Sequence, residues 1–302
     1  MIIDAHAHFE PRVLAVKTMI EKLDAAGIDR VALIPTMIDP LPSTPEVLLA
    51  MTRFFMQRSW GRPIAEAIHR GTMTRAGDLR LAGRTYRIYR QPDNASVAEV
   101  LRQRPDRFLG WIFLNPRSDE DVMECLERWR VVPGMIGIKL HPHWHDYRTE
   151  LLHPLLARAE ELGLPVLIHL GFRKRGDFRT LCQRFPGVTF IAAHAGFPFY
   201  QMLWKHGPDL KNLHVDLSSP YIDEKIARAA VSALGAERCL YGTDAPYGFS
   251  GSEDGADYDY MAIRGWIDRM AISDLERDRI FGGNMLDILD RAGIGLVQRE
   301  KG

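Results

Sequence analysis

Cysteine is scarce in this sequence: three in 302 residues, at Cys125, Cys182 and Cys239, with no CxxC pair. That excludes a disulfide framework and makes a reducing compartment, the cytoplasm, the expected location. Neither sign of charge is in excess, since 39 Lys and Arg balance 39 Asp and Glu. Without a basic surplus or a polybasic block, nucleic acid and an anionic membrane surface are not expected partners. No apolar run approaches the ~18 residues of a membrane-spanning helix. The N-terminus turns polar at Asp4, where the apolar stretch of a signal peptide continues. A Gly-rich phosphate turn is missing after the first apolar run, which argues against a doubly wound nucleotide-binding sheet.

What is present is the balance of a globular chain, 46% hydrophobic and 26% charged. Short β-rich runs recur. They start at residues 2, 31, 108, 136, 166, 189, 213 and 239, so six of the seven steps are 23 to 30 residues and one is 77. Each short step suits one strand, one helix and two loops. Helical spacing falls between the runs, over 13–26, 119–129, 151–162 and 222–234. Eight such repeats predict an α/β fold, a (β/α)8 TIM barrel, as a single domain over residues 1–302.

The long step is an insertion after strand two, residues 36–94. Pro40, Pro42 and Pro45 open it, and a helix is predicted over 46–57. It leaves the barrel on the C-terminal face, where barrel active sites lie. A lid over the site and an oligomer contact are equally open readings, as long insertions are often but not always functional.

The predicted strand ends carry the chemistry. The first run ends His6-Ala-His8, the fourth holds Lys139, the fifth ends near His169, the sixth at His194 and the eighth at Asp244. Residues two apart on a strand share a face, so His6 and His8 can both point into the mouth. Imidazole nitrogens about 2 Å from one ion need that convergence. A third histidine and a carboxylate from other strands complete a site with an open position for water or substrate.

Five motifs, Asp-Ala-His6-Ala-His8-Phe, Gly-Ile-Lys139-Leu-His141-Pro, Leu-Ile-His169, Ala-His194-Ala-Gly and Tyr-Gly-Thr-Asp244-Ala-Pro, resemble the amidohydrolase superfamily. The resemblance is to its amidohydrolase-related branch, which includes aminocarboxymuconate-semialdehyde decarboxylase. The ending Arg279-Ile-Phe-Gly-Gly-Asn284-Met-Leu-Asp-Ile-Leu289 is similar to that branch as well. The resemblance implies that His6, His8, His169 and Asp244 ligate a divalent metal, usually Zn²⁺, with one ion per chain expected. It implies that Asp244 also orients or deprotonates the activated water, and that His194 acts beside the metal as acid or base.

Lys139 keeps two readings. In binuclear members a carboxylated lysine on this strand bridges two metals, with His169 and His194 on the second; otherwise Lys139 is a cation that binds substrate. Arg173, in the cationic loop Arg173-Lys174-Arg175, is a candidate for holding a substrate carboxylate or phosphate. His141-Pro-His143-Trp144-His145 reads as a surface loop, because Pro142 breaks the strand and alternation loses its meaning there. The expected function is hydrolysis of a small carboxylate-bearing substrate, at an amide, lactone or ester bond, with a metal-activated water. Non-oxidative decarboxylation of an unsaturated or aromatic acid is the alternative. A small-molecule substrate is the expected partner, and a homo-oligomer is left open.

Overall fold

The computed structural model describes residues 1–42, 44–247 and 258–297, so Ser43 of the insertion and residues 298–302 of the expected domain lie outside the described residues. The chain forms β1 (Ile3–His8), β2 (Arg30–Ile34), β3 (Leu79–Leu81), β4 (Arg84–Tyr86), β5 (Phe108–Phe113), β6 (Met135–Leu140), β7 (Val166–Ile168), β8 (Phe190–Ala192), β9 (Leu213–Asp216) and β10 (Cys239–Leu240). The eight expected runs are β1, β2 and β5 to β10. They form one parallel sheet in the order β1-β2-β5-β6-β7-β8-β9-β10. Backbone bonds bring the last strand back to the first: Ala5 N donates to Tyr241 O at 3.0 Å, Asp244 N to His6 O at 2.7 Å and His8 N to Ala245 O at 2.6 Å. The sheet is thereby a TIM barrel.

Helices occupy the intervals, and their starts follow cap chemistry. The helix expected from 119 begins at Val122, because Asp121 accepts from the backbone N–H of Met123 and Glu124. That expected from 222 begins at Glu224, where Asp223 accepts from Ile226 N. The helix expected from 13 begins at Val16, since Val13 and Leu14 turn back to the carbonyl of Glu10.

Buried apolar side chains form two large clusters. One joins the strands to the outer helices, through Met19, Leu23, Leu126 and Leu155 among others. The other gathers Ile3, Ala5, Ile34, Trp111, Leu167 and Ile191 from the strands, with Met285, Ile288 and Leu289 of the last helix (Asn284–Arg291). That helix plugs the barrel at the start of β10, where Asn284 Nδ2 donates to the carbonyls of Ala236 and Cys239, both at 2.7 Å. The opposite end is left for polar side chains.

The segment between β2 and β5 holds helices Glu46–Met56 and Gly61–Thr72 and the β3–β4 hairpin, drawn back to its neck by an Ile38–Ile88 bridge. It touches the loops at the C-terminal ends of several strands. Tyr89 O accepts from His145 Nε2 at 3.1 Å, Arg53 Nη1 donates to the carbonyls of Pro220 and Ile222 at 3.2 and 3.3 Å, and Arg173 Nε donates to Glu66 at 2.8 Å. No helix among the described residues is long and apolar enough to cross a membrane.

His214 on β9 makes the fold acid-sensitive. Burial, reinforced by Arg291 and Arg238, lowers it from 6.5 to about 4. The unfolded chain therefore takes a proton below pH 6.5 that the folded chain refuses, so this stability is full above pH 6.5 and is lost as pH falls to 4. The loss is about 2–3 kcal/mol. Thermal melts between pH 7 and 4 should fall more steeply for the natural chain than for His214→Gln; parallel curves would contradict the assignment.

Candidate metal centre

The mouth residues are arranged by hydrogen bonds to buried carboxylates. His6 follows a register shift between Asp4 and Ala7 in the β1–β2 ladder, a bulge of the kind that re-aims a side chain. Its Nδ1 lies 2.8 Å from Asp216 Oδ2 at the end of β9. The other oxygen of Asp216 accepts from the backbone N–H of His194 and of Ser218, both at 3.0 Å, and from the Ser218 hydroxyl. One carboxylate thus ties β1, β8 and β9. Asp4 does the same across the seam: its Oδ1 accepts from His6 N and Thr243 N, both at 3.0 Å, and its Oδ2 from the Thr243 hydroxyl. His194 and Asp244 both stand in the left-handed region, at φ 53° and 60°. A non-glycine residue is uncommon there and is held by its surroundings, here the Asp216 bond to His194 N and the His6 bond to Asp244 N.

These partners set the tautomers. His6 Nδ1–H donates to Asp216, His194 Nδ1 lies 2.8 Å from Ser218 Oγ, and His169 Nδ1–H donates to Leu170 O at 3.1 Å. Each ring then carries its lone pair on Nε2, as in carboxylate–histidine–metal arrangements. His6 Nε2 and His8 Nε2 each lie 3.2 Å from the same atom, Asp244 Oδ1. His6, with its proton on Nδ1, meets Asp244 Oδ1 lone pair to lone pair, and a cation between the two relieves that repulsion. The separation matches the edge, about 3.3 Å, of a tetrahedron with bonds near 2.0–2.1 Å.

Electrostatics agree. Burial, reinforced by Lys139, holds His6 well below its ordinary 6.5, and burial does the same for His8, His169 and His194. Neutral imidazoles are the ligating form. Burial pushes the Asp244 carboxyl well above its usual range; Lys139 opposes this, while Asp216 and Asp4 add to it. Burial raises Asp4 to about 7 against the bonds from Thr243 and His6, and lowers Lys139 to about 8. A buried carboxylate among neutral rings needs a cation to stay ionised. The donor set fits a divalent metal.

The expected residues are not all equally close. Among the described residues, His6, His194 and Asp244 form one set with a donor atom of each within 4.8 Å of the others. His8 joins through Asp244 Oδ1. His169 lies behind His194, with ring centroids 4.9 Å apart, and stacks on His141 at 4.3 Å. Lys139 Nζ is 3.5 Å from His6 Nε2 and fully buried. Arg173 is not brought to this cluster; its side chain is 70% exposed and pairs with Glu66.

The loop from His141 to His145 is not the surface loop expected. All three histidines are buried: His69 of the insertion packs on His143 at 4.2 Å, Tyr89 O holds His145, and His141 stacks on His169. Sequence reasoning missed Asp4, Asp216, Ser218 and Thr243. Asp216 had a visible signal, a carboxylate closing the seventh β-run, and Asp4 stands two residues before His6. It missed Tyr221 too, whose ring is 5.2 Å from His194.

Comparison with known proteins bears on this constellation. The family profile described as Amidohydrolase matches residues 3–291. The chain belongs to the amidohydrolase family. No curated protein sequence matches it. Its fold is shared with a TIM-barrel protein of Bordetella bronchiseptica (18% identity, 97% of this chain and 99% of that one, TM-score 0.64). It is shared too with a dihydroxybenzoic acid decarboxylase of Polaromonas holding manganese and 2-nitroresorcinol (16%, 96% and 96%, TM-score 0.59). A third is a proposed 2-pyrone-4,6-dicarboxylic acid hydrolase of Pseudomonas putida (17%, 96% and 97%, TM-score 0.58). At these identities the likeness establishes the barrel alone, and these amidohydrolase-fold proteins are named for both hydrolysis and decarboxylation.

Elemental analysis of purified protein should give about one divalent ion per chain, abolished in His6→Ala and Asp244→Ala. Asp216→Asn, which removes the carboxyl partner of His6 and leaves the ligands, should weaken metal affinity roughly 10- to 100-fold. Full occupancy in His6→Ala would overturn the centre, and two ions per chain would bring Lys139 in as a bridging group.

Proposed function

We propose that this chain is a metal-dependent hydrolase of a small carboxylate-bearing substrate, cleaving an amide, lactone or ester bond, with His6, His8, His169 and Asp244 as metal ligands. The observation that carries this is the convergence of His6 Nε2 and His8 Nε2 on Asp244 Oδ1, both at 3.2 Å. A divalent cation, commonly Zn²⁺, supplies an activated water at neutral pH when bound there. Asp244 is the proton acceptor for that water: its carboxylate stands at the ligand pole, and its protonated form is favoured by burial once a proton arrives. His194, kept neutral and anchored by Ser218, is the group that passes the proton to the leaving atom. Tyr221 and Phe197, stacked 4.4 Å apart beside His169 and His194, wall the substrate on that side.

The insertion shapes the entrance. Its contacts to the loops after β6, β7 and β9 support a fixed cover over part of the mouth rather than a distant appendage. Decarboxylation is the second reading, favoured by the decarboxylase among the structures of this fold. It would use the same residues, with Lys139 and His194 holding the carboxylate.

Turnover in ¹⁸O-labelled water separates the two. Trials across lactones, amides, esters and aromatic acids should yield product containing label. CO₂ release without incorporated oxygen would establish decarboxylation instead. His194→Ala should retain the metal while kcat falls 10²- to 10⁴-fold, the usual worth of a positioned acid or base; unchanged turnover would remove His194 from the chemistry.

A further inference from the structure

A second cavity lies beside the metal centre and contains none of its ligands. It measures about 520 Å³ and sits between the insertion and the loops after β5, β6 and β7. Five arginines line it: Arg70, Arg75 and Arg90 from the insertion, Arg117 and Arg175 from the barrel. Among the described residues, Asp146 is the one carboxylate in the lining.

The cations are under-compensated. Arg117 and Arg175 share Asp146. Arg70 shares Glu66 with Arg173, which lies outside the cavity. Arg90 donates to the carbonyl of Ala76 at 2.9 Å, and among the described residues no carboxylate pairs with Arg75 or Arg90. The imbalance runs through the whole segment: residues 46–90 hold nine arginines and three carboxylates in a chain of zero net charge. Guanidiniums crowded about one hollow repel one another, and an anion among them relieves that repulsion.

Two further groups in the lining await a partner. His143 and His145 are 5% and 7% exposed, and the Nδ1 of each makes no hydrogen bond. Buried polar atoms are normally paired, so an unpaired one beside a cavity marks where a ligand atom can sit; His145 gives its Nε2–H to Tyr89 O, so its Nδ1 accepts and suits a ligand hydroxyl rather than an anionic oxygen. A volume of 520 Å³ is that of a small-molecule site. Guanidinium forks match carboxylate and phosphate oxygens, two bonds to a group.

We propose that this cavity binds a small molecule carrying two or more carboxylate or phosphate groups, clasped between the insertion and the barrel. The site does not rest on the hydrolase reading. Its occupant is either the far end of an extended substrate or a separate effector, and both present the same chemistry to these arginines. His143, whose ring is 5.0 Å from that of His169, connects the cavity to the metal centre.

Calorimetric titration of the full chain with citrate and with pyrophosphate, at ionic strength fixed with NaCl, tests this. One site per chain is expected, with acetate at least tenfold weaker. The double variant Arg75→Gln, Arg117→Gln should bind at least tenfold more weakly. Arg75→Gln alone, an exposed side chain outside every ion pair described, should cost about threefold, which guards against misfolding of the double variant. Arg291→Gln, at the other end of the barrel, should bind as the natural chain does. Affinity equal in the metal-loaded protein and in His6→Ala assigns the site to an effector; tighter binding to the metal-loaded protein assigns it to substrate. No saturable binding of either probe, or an unchanged Kd in both arginine variants, would overturn the proposal.

Discussion

The seam where the first strand meets the last holds the site together. Asp244 N donates to the carbonyl of His6, and Ala5 and His8 donate to the carbonyls of Tyr241 and Ala245. Beneath it the buried Asp4 carboxylate accepts from both sides, from His6 N and from Thr243. Closing a barrel demands some bond across its final gap. Here the residues that make the bond also carry the ligands, so closure and convergence are one event. A break at this seam would separate His6 from Asp244 before it disturbed any other strand pair.

Asp216 extends that logic one layer outward. It orients His6 through Nδ1, fixes the backbone of His194 in the left-handed region and anchors Ser218, which in turn holds His194 Nδ1. His6 and His194 are each turned by a partner from another strand. A side chain held in this way has its rotamer and tautomer chosen before any ligand arrives, which is what preorganisation means at a metal site.

The barrel was legible in the sequence because each strand–helix unit repeats at nearly constant spacing, and because apolar runs such as Val31 to Pro35 leave little choice but a buried parallel strand. His6, His8, His194 and Asp244 were legible because strand ends in such a fold converge. The carboxylates behind them were visible at their strand positions, but their roles were not, since the partners of Asp4 and Asp216 lie 239 and 210 residues away in sequence. The burial of His143 and His145 was hidden for a similar reason: His69 and Tyr89 lie against them, and only the fold of the insertion brings those residues over that loop. Arg173 stood out as a cation at the mouth, yet Glu66 on the insertion claims it. Local pattern reports what a residue can do, and long-range pairing decides which residue does it.

The central claim is that β1 and the end of β10 build one metal centre. A crystal structure of the metal-loaded protein with anomalous data at the metal edge tests it most directly. The account predicts a single strong peak within about 2.0–2.2 Å of His6 Nε2, His8 Nε2 and an Asp244 carboxylate oxygen. An ion bound instead at the His141–His145 loop, or no peak between His6 and Asp244 in protein shown to carry metal, would contradict it.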